Sequence, residues 1–142
     1  MDIVYKEYIL TADEFILFAD KMGETDGMTK EQAEKSLVNH HCCIAAFLCN
    51  EIIGIGRLIG DAAIYWCLVD IWVLPEYQGK GIGKEIVNRL VQYTKDNSIP
   101  GTSISVFLMA AKGKEGFYEK CGFLRRPHSW EGAGMEMEIN LE

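Results

Sequence analysis

Between Ala12 and Met22 the apolar residues fall at positions 12, 15, 16, 18, 19 and 22, the spacing of one helical face. A short strand is predicted before it, over Ile3 to Tyr8, and Gly23-Glu24-Thr25-Asp26-Gly27 breaks it. Thr29-Lys30-Glu31-Gln32 reads as a capping box, so a second helix opens there and runs to about Val38. From Cys42 the pattern changes. Cys42 to Cys49 is a near-continuous apolar run, Asn50-Glu51 a turn, and Ile52 to Ile59 a second run interrupted by Gly54 and Gly56. Gly60-Asp61 turns into a third run, Ala63 to Leu74, which Pro75 stops; together these predict an antiparallel meander.

Ile82, Ile86, Val87, Leu90 and Val91 then place one apolar stripe on a helix whose other face carries Lys84, Glu85, Asn88, Arg89, Gln92 and Lys95. Asn97 to Gly101 ends it. Ser103 to Met109 predicts a strand, Lys114 to Cys121 a short helix stopped by Gly122, and Phe123-Leu124 the start of another strand. Met135, Met137, Ile139 and Leu141 alternate with Glu136, Glu138, Asn140 and Glu142, a period of two that predicts a last strand. The order β-α-α-β-β-β-α-β-α-β is that of a mixed α/β layer fold.

With 142 residues, 49% apolar and 25% charged, and with no repeat or linker, residues 1–142 read as one globular domain. No apolar run approaches the ~18 residues of a membrane span, and the first residues lack the plan of a signal peptide. No membrane association is expected. The five cysteines, Cys42, Cys43, Cys49, Cys67 and Cys121, form no Cys-x-x-Cys pair and read as reduced thiols in a cytoplasmic protein, with no metal site. A net charge of −7 disfavours nucleic acid as a partner. The charge is uneven, however: −8 over residues 1–77, +5 over 78–126 and −4 over 127–142. A basic middle between acidic flanks suits an anionic cofactor and a cationic second substrate.

The densest chemical signal is Val73-Leu74-Pro75-Glu76-Tyr77-Gln78-Gly79-Lys80-Gly81-Ile82-Gly83-Lys84, at a strand-to-helix junction. Glycine at every second position lets the backbone turn sharply and bring N–H groups near a ligand. The helix begins there, so its unpaired N–H groups and positive dipole end point into the same turn, a natural site for phosphate or pyrophosphate. Two better-known phosphate loops do not fit. Gln78 stands where a Walker loop needs its first glycine, and Lys84 occupies the third glycine of a dinucleotide fingerprint.

Gln78-Gly79-Lys80-Gly81-Ile82-Gly83 resembles the acyl-CoA signature Gln/Arg-x-x-Gly-x-Gly/Ala of the GNAT superfamily of N-acetyltransferases, preceded by that family's Val-x-Pro-x-Tyr. Phe117-Tyr118-Glu119-Lys120-Cys121-Gly122-Phe123 resembles its second motif at a typical separation. The resemblance implies an α/β GNAT-type acyl-CoA N-acyltransferase fold, a mixed sheet of about six to seven strands flanked by about four helices. It implies acetyl-CoA as co-substrate, direct attack by a primary amine in a ternary complex, and a homodimer.

On that resemblance the pantetheine arm enters between parallel strands ending near Val73 and Leu108. It pairs with the backbone of Ile71, Trp72 and Val73, and the turn Gln78, Gly79, Lys80, Gly81, Ile82, Gly83 and Lys84 takes the pyrophosphate. Tyr118 matches the family's donor to the departing thiolate. Asp70 matches an aspartate of the plant serotonin N-acetyltransferase branch. As the lone carboxylate in the run Trp66 to Val73 it suits a proton acceptor, or else it is an acid bonded to backbone or to an arginine. Ala111 stands where many members carry an asparagine contacting the arm; Lys112 and Lys114 follow it and are expected to meet the cofactor's phosphates instead. The acceptor is expected near Glu24, Asp26, Trp130 and Glu131, through charge or stacking. A small-molecule amine is favoured; a protein lysine or N-terminus, or an acyl-CoA sensor without turnover, are the alternatives. His40 and His41 close a helix, where a cation suits the dipole, and read as structural.

Overall fold

The computed structural model describes residues 2–24 and 27–141, which gather into two compact units, one up to Leu108 and one from Met109 on. The first holds a five-stranded sheet of order β1-β2-β3-β4-β5, with β1 at Val4–Glu7, β2 at Cys42–Leu48, β3 at Glu51–Gly60, β4 at Tyr65–Val73 and β5 at Ser105–Leu108. Neighbours run antiparallel except β4 and β5, which are parallel. Helices α1 (Ala12–Met22) and α2 (Lys30–Asn39) precede β2, and α3 (Ile82–Asp96) follows β4.

Local chemistry explains where these elements start and turn. A full capping box opens α1: Glu14 N–H donates to Thr11 Oγ1 at 3.1 Å while Thr11 N–H donates to Glu14 Oε1 at 3.0 Å. At α2 only the Thr29 half forms, with Gln32 N–H donating to Thr29 Oγ1 at 3.1 Å. The β2–β3 hairpin turns on Cys49-Asn50, both at positive φ (50° and 65°), one residue earlier than the sequence pattern suggests. Two successive left-handed residues twist with the strands, and asparagine tolerates that conformation.

The glycines of β3 are explained by α3. A Cβ at Gly56 would lie 2.6 Å from Ile86 and 2.8 Å from Leu90, so only glycine admits the helix this closely. Ile82, Ile86, Val87 and Leu90 are thereby buried completely, each contributing roughly 1.5–3 kcal/mol. On the α1 side, the Phe15 and Phe18 rings stack on Trp72 with centroids 5.9 and 6.5 Å away.

The second unit contains α4 (Glu115–Lys120) and a loop held by its own polar contacts. Here the sheet of six to seven strands is corrected to five among the described residues, since neither Phe123-Leu124 nor 135–141 forms a strand. The alternation at 135–141 is real, but its apolar face is unburied: Met135 and Leu141 are each 91% exposed. A strand needs a hydrogen-bonding neighbour as well as a pattern, and this segment has none among the described residues.

Candidate active site

Strand β4 changes character halfway along. From Tyr65 to Leu68 it pairs with β3 on one side and β5 on the other, and the β5 ladder stops at the Leu68–Leu108 pair. Val69 to Val73 has β3 alone, so its other edge has no strand partner among the described residues. Within that half lies a bulge. Ile55 pairs with Trp72 and Arg57 with Val69, so Gly56 faces both Asp70 and Ile71. Asp70 sits there with φ of +52°, a conformation that non-glycine residues seldom adopt. Ile71, Trp72 and Val73, expected along the pantetheine arm, thus lie on an open strand edge.

That edge runs directly into the glycine turn. After a 3-10 turn at Pro75–Tyr77, Gly79 and Gly81 both take left-handed φ, +76° and +83°. A Cβ at either would meet nothing within 4 Å, so conformation rather than crowding requires glycine here. Gly81 caps α3, and Glu85 N–H donates to its carbonyl at 3.1 Å. The N–H groups of Gly79, Lys80, Gly81, Ile82, Gly83 and Lys84 make no backbone hydrogen bond among the described residues. They stand beside the positive end of α3, with Lys80 and Lys84 exposed. Gln78 spans the turn, its Nε2 donating to Val73 O at 2.9 Å, which satisfies the last carbonyl of the free edge.

Asp70 is paired. Its Oδ2 accepts from Arg57 Nε at 2.9 Å and Nη2 at 2.7 Å. Arg57 is buried, and its guanidinium is gripped from three more directions. Nη2 donates to Ser36 Oγ at 3.2 Å, Nη1 to His40 Nδ1 at 3.2 Å, and the Phe15 ring lies 4.7 Å beneath the guanidinium carbon. Sequence reasoning passed over Arg57, although a lone arginine in one apolar run facing a lone aspartate in the next was a signal. The reading of His40 as a helix-end cation is corrected. Burial, with the Arg57 charge beside it, lowers its pKa, and Arg57 needs its Nδ1 as an acceptor, so the ring is neutral.

In the second unit Tyr118 lies on α4, its ring edge-on to Phe117 and Phe123 at 4.9 and 6.1 Å. Burial pushes its phenol up to about 12, so it remains a proton donor throughout the neutral range. Lys112 is exposed in the turn before α4. Glu131 accepts from His128 Nε2 at 2.9 Å and pairs with Arg126 at 3.8 Å, so its charge is offset locally, while Trp130 is 74% exposed beside it. Glu24 is exposed just past α1, and Asp26 lies outside the described residues.

Comparison with known proteins agrees with this geometry. The family model for the acetyltransferase (GNAT) domain matches residues 39–125. An uncharacterized N-acetyltransferase, ycf52-like, of Prochlorococcus marinus is 34% identical over 77 residues, covering 54% of this chain and 41% of its own. The GCN5-related N-acetyltransferase 2, chloroplastic, of Arabidopsis thaliana is 34% identical over 82 residues, 58% of this chain and 30% of its own. The chain thus spans less than half the length of these curated relatives. Two solved structures match over nearly the whole chain. A protein of unknown function from meticillin-resistant Staphylococcus aureus, described as a probable acetyltransferase, superposes with a TM-score of 0.82 at 30% identity, covering 97% of this chain and 100% of that one. A GNAT family acetyltransferase from Streptococcus pneumoniae gives 0.78 at 26%, covering 99% and 100%. With its open β4 edge, its glycine turn at the start of α3 and a family model matched across both, this chain belongs to the GNAT acetyltransferase family.

Proposed function

We propose that the protein transfers the acetyl group of acetyl-CoA to a primary amine, a small molecule, by direct attack in a ternary complex. The observation that carries this reading is the continuity of the Val69–Val73 edge with the N–H-lined turn at Gly79–Lys84. An amide-bearing pantetheine arm pairs with such an edge as a further strand would, and the turn then receives the pyrophosphate, with Lys80, Lys84 and Lys112 supplying charge.

Transfer needs a neutral amine, a stabilised oxyanion and a protonated leaving group. Asp70 is our candidate for taking the amine proton, through the carboxylate oxygen outside its ion pair. Backbone N–H groups at the Asp70–Ile71 bulge are our candidates for stabilising the carbonyl oxygen as it gains charge. Tyr118 gives its proton to the departing thiolate. For the acceptor, the acidic first 77 residues favour a cationic amine drawn toward Glu24 and Asp26, with Trp130 and Glu131 as the other contacts. The reading includes a homodimer, supported by the apolar face of 135–141, and a cytoplasmic location, supported by the reduced thiols.

Mass-spectrometric detection of acetylated product from acetyl-CoA and a mixed amine panel tests it. Product is expected, with kcat reduced on the order of a hundredfold in Tyr118→Phe. An unimpaired Tyr118→Phe removes that role. Acetyl-CoA binding with no product from any small amine, but with product from peptides, transfers the activity to a protein acceptor. Binding without any product makes the protein a sensor.

A further inference from the structure

We infer that Arg57 is the positioning residue of the acetyl-transfer centre: by gripping Asp70 it holds the β4 bulge, and with it the Ile71 backbone, in the arrangement transfer requires. The inference rests on the function proposed above and adds to it a residue that neither sequence motif contains.

The bulge has to be held by something. A non-glycine residue at φ of +52° inside a strand costs of order 1–3 kcal/mol and persists only where its surroundings over-determine it. Backbone pairing supports Asp70 only through its neighbours, since β3 pairs with Val69 and Trp72 on either side of the bulge and β5 has already left the ladder at Leu68. Support comes through the side chain instead, from two N–H groups of Arg57 converging on one carboxylate oxygen.

Arg57 in turn cannot drift. Phe15 from α1, Ser36 from α2, His40 at the end of α2 and Asp70 from β4 each take one side of its guanidinium. Four elements thereby meet at one planar group, with five N–H donors fixed in direction. A half-buried ion pair is weak evidence for stability, since apolar replacements of such pairs often fold as well or better. What this one supplies is direction: it ties the residue beside the open edge to both helices on that face of the sheet.

The test compares Arg57→Lys, which keeps the charge but loses the fork, with Arg57→Met and with Asp70→Asn, which approaches the pair from the other side. Each is measured for urea unfolding, acetyl-CoA dissociation constant, kcat and KM with the best amine of the panel, and amide hydrogen exchange at Trp72 and Leu68. For Arg57→Lys we expect kcat to fall on the order of a hundredfold, the loss that a displacement of about 1 Å produces. The KM for acetyl-CoA should move much less than kcat. Exchange at Trp72, whose pairing with Ile55 closes the bulge, should quicken about tenfold or more, with Leu68 unchanged, as expected of a local opening.

Wild-type kcat and wild-type Trp72 exchange in Arg57→Lys would overturn the inference while leaving the proposed function standing. So would a fall in rate that only follows the loss of folded protein. If the wild type binds acetyl-CoA but acetylates no amine, the proposed function fails, and Trp72 exchange alone decides whether Arg57 holds the bulge.

Discussion

The two halves of β4 are built from one apolar run and do different things. Tyr65 to Leu68 is closed on both edges, and Trp66 is buried there, its indole N–H donating to Ser98 Oγ at 3.0 Å and its ring edge-on to Tyr93. Val69 to Val73 is closed on one edge only, interrupted by a bulge, and carries the ion pair. Apart from Asp70, nothing in the hydropathy separates them. Backbone pairing does: where both edges are satisfied the strand contributes stability, and where one is left open its N–H and C=O groups remain available to a ligand.

Breaking the closed half should cost the most. Trp66→Ala removes a fully buried indole and its hydrogen bond, and should lower the unfolding free energy by about 3–5 kcal/mol, read from the urea midpoint. The acetyl-CoA affinity of the protein that remains folded should stay near wild type. A large affinity loss would mean that the halves are not separable.

Disturbing the turn that continues the open half should do the reverse. Gly81→Val forces a β-branched residue into left-handed φ and should weaken acetyl-CoA binding at least tenfold, about 1.4 kcal/mol, by isothermal titration. The urea midpoint should move less than for Trp66→Ala. Wild-type affinity would remove the turn from the cofactor site.

The smallest effect sharpens the comparison through pH. His40, facing Arg57 and His41, has its pKa lowered in the folded protein, so the unfolded chain binds the extra proton first. Stability is then full above the ordinary histidine value of about 6.5 and declines as pH falls below it, as the unfolded chain takes up the proton that the fold resists. His40→Gln should flatten that part of the urea-midpoint profile. Because His40 contacts Arg57, the protection of Trp72 should also weaken at the acid end while that of Leu68 does not.

Much of this was present in the residues themselves. The helix at Ala12–Met22, the three-stranded meander and the glycine-rich opening of α3 follow from local spacing and turn chemistry, which short-range sterics and capping bonds decide. The N–H-lined turn at Gln78–Lys84 was equally local, because left-handed glycines and a helix start need no distant partner. The capping box at Thr11–Glu14 was just as readable and was missed, in favour of the weaker one at Thr29.

Other features depended on pairings between distant residues. The period-two segment 135–141 had the pattern of a strand and did not become one, since alternation specifies a face and not a neighbour. That Asp70 would stand in a bulge, that Arg57 from the adjacent strand would reach it, and that a neutral His40 would complete the grip all required β3, β4 and two helices to meet. Sequence determined where the helices and the meander form and where free N–H groups gather at the start of α3. Tertiary structure decided which edge stays open and which way its one carboxylate points, because hydrogen-bond register and ion-pair geometry are set between elements rather than within them.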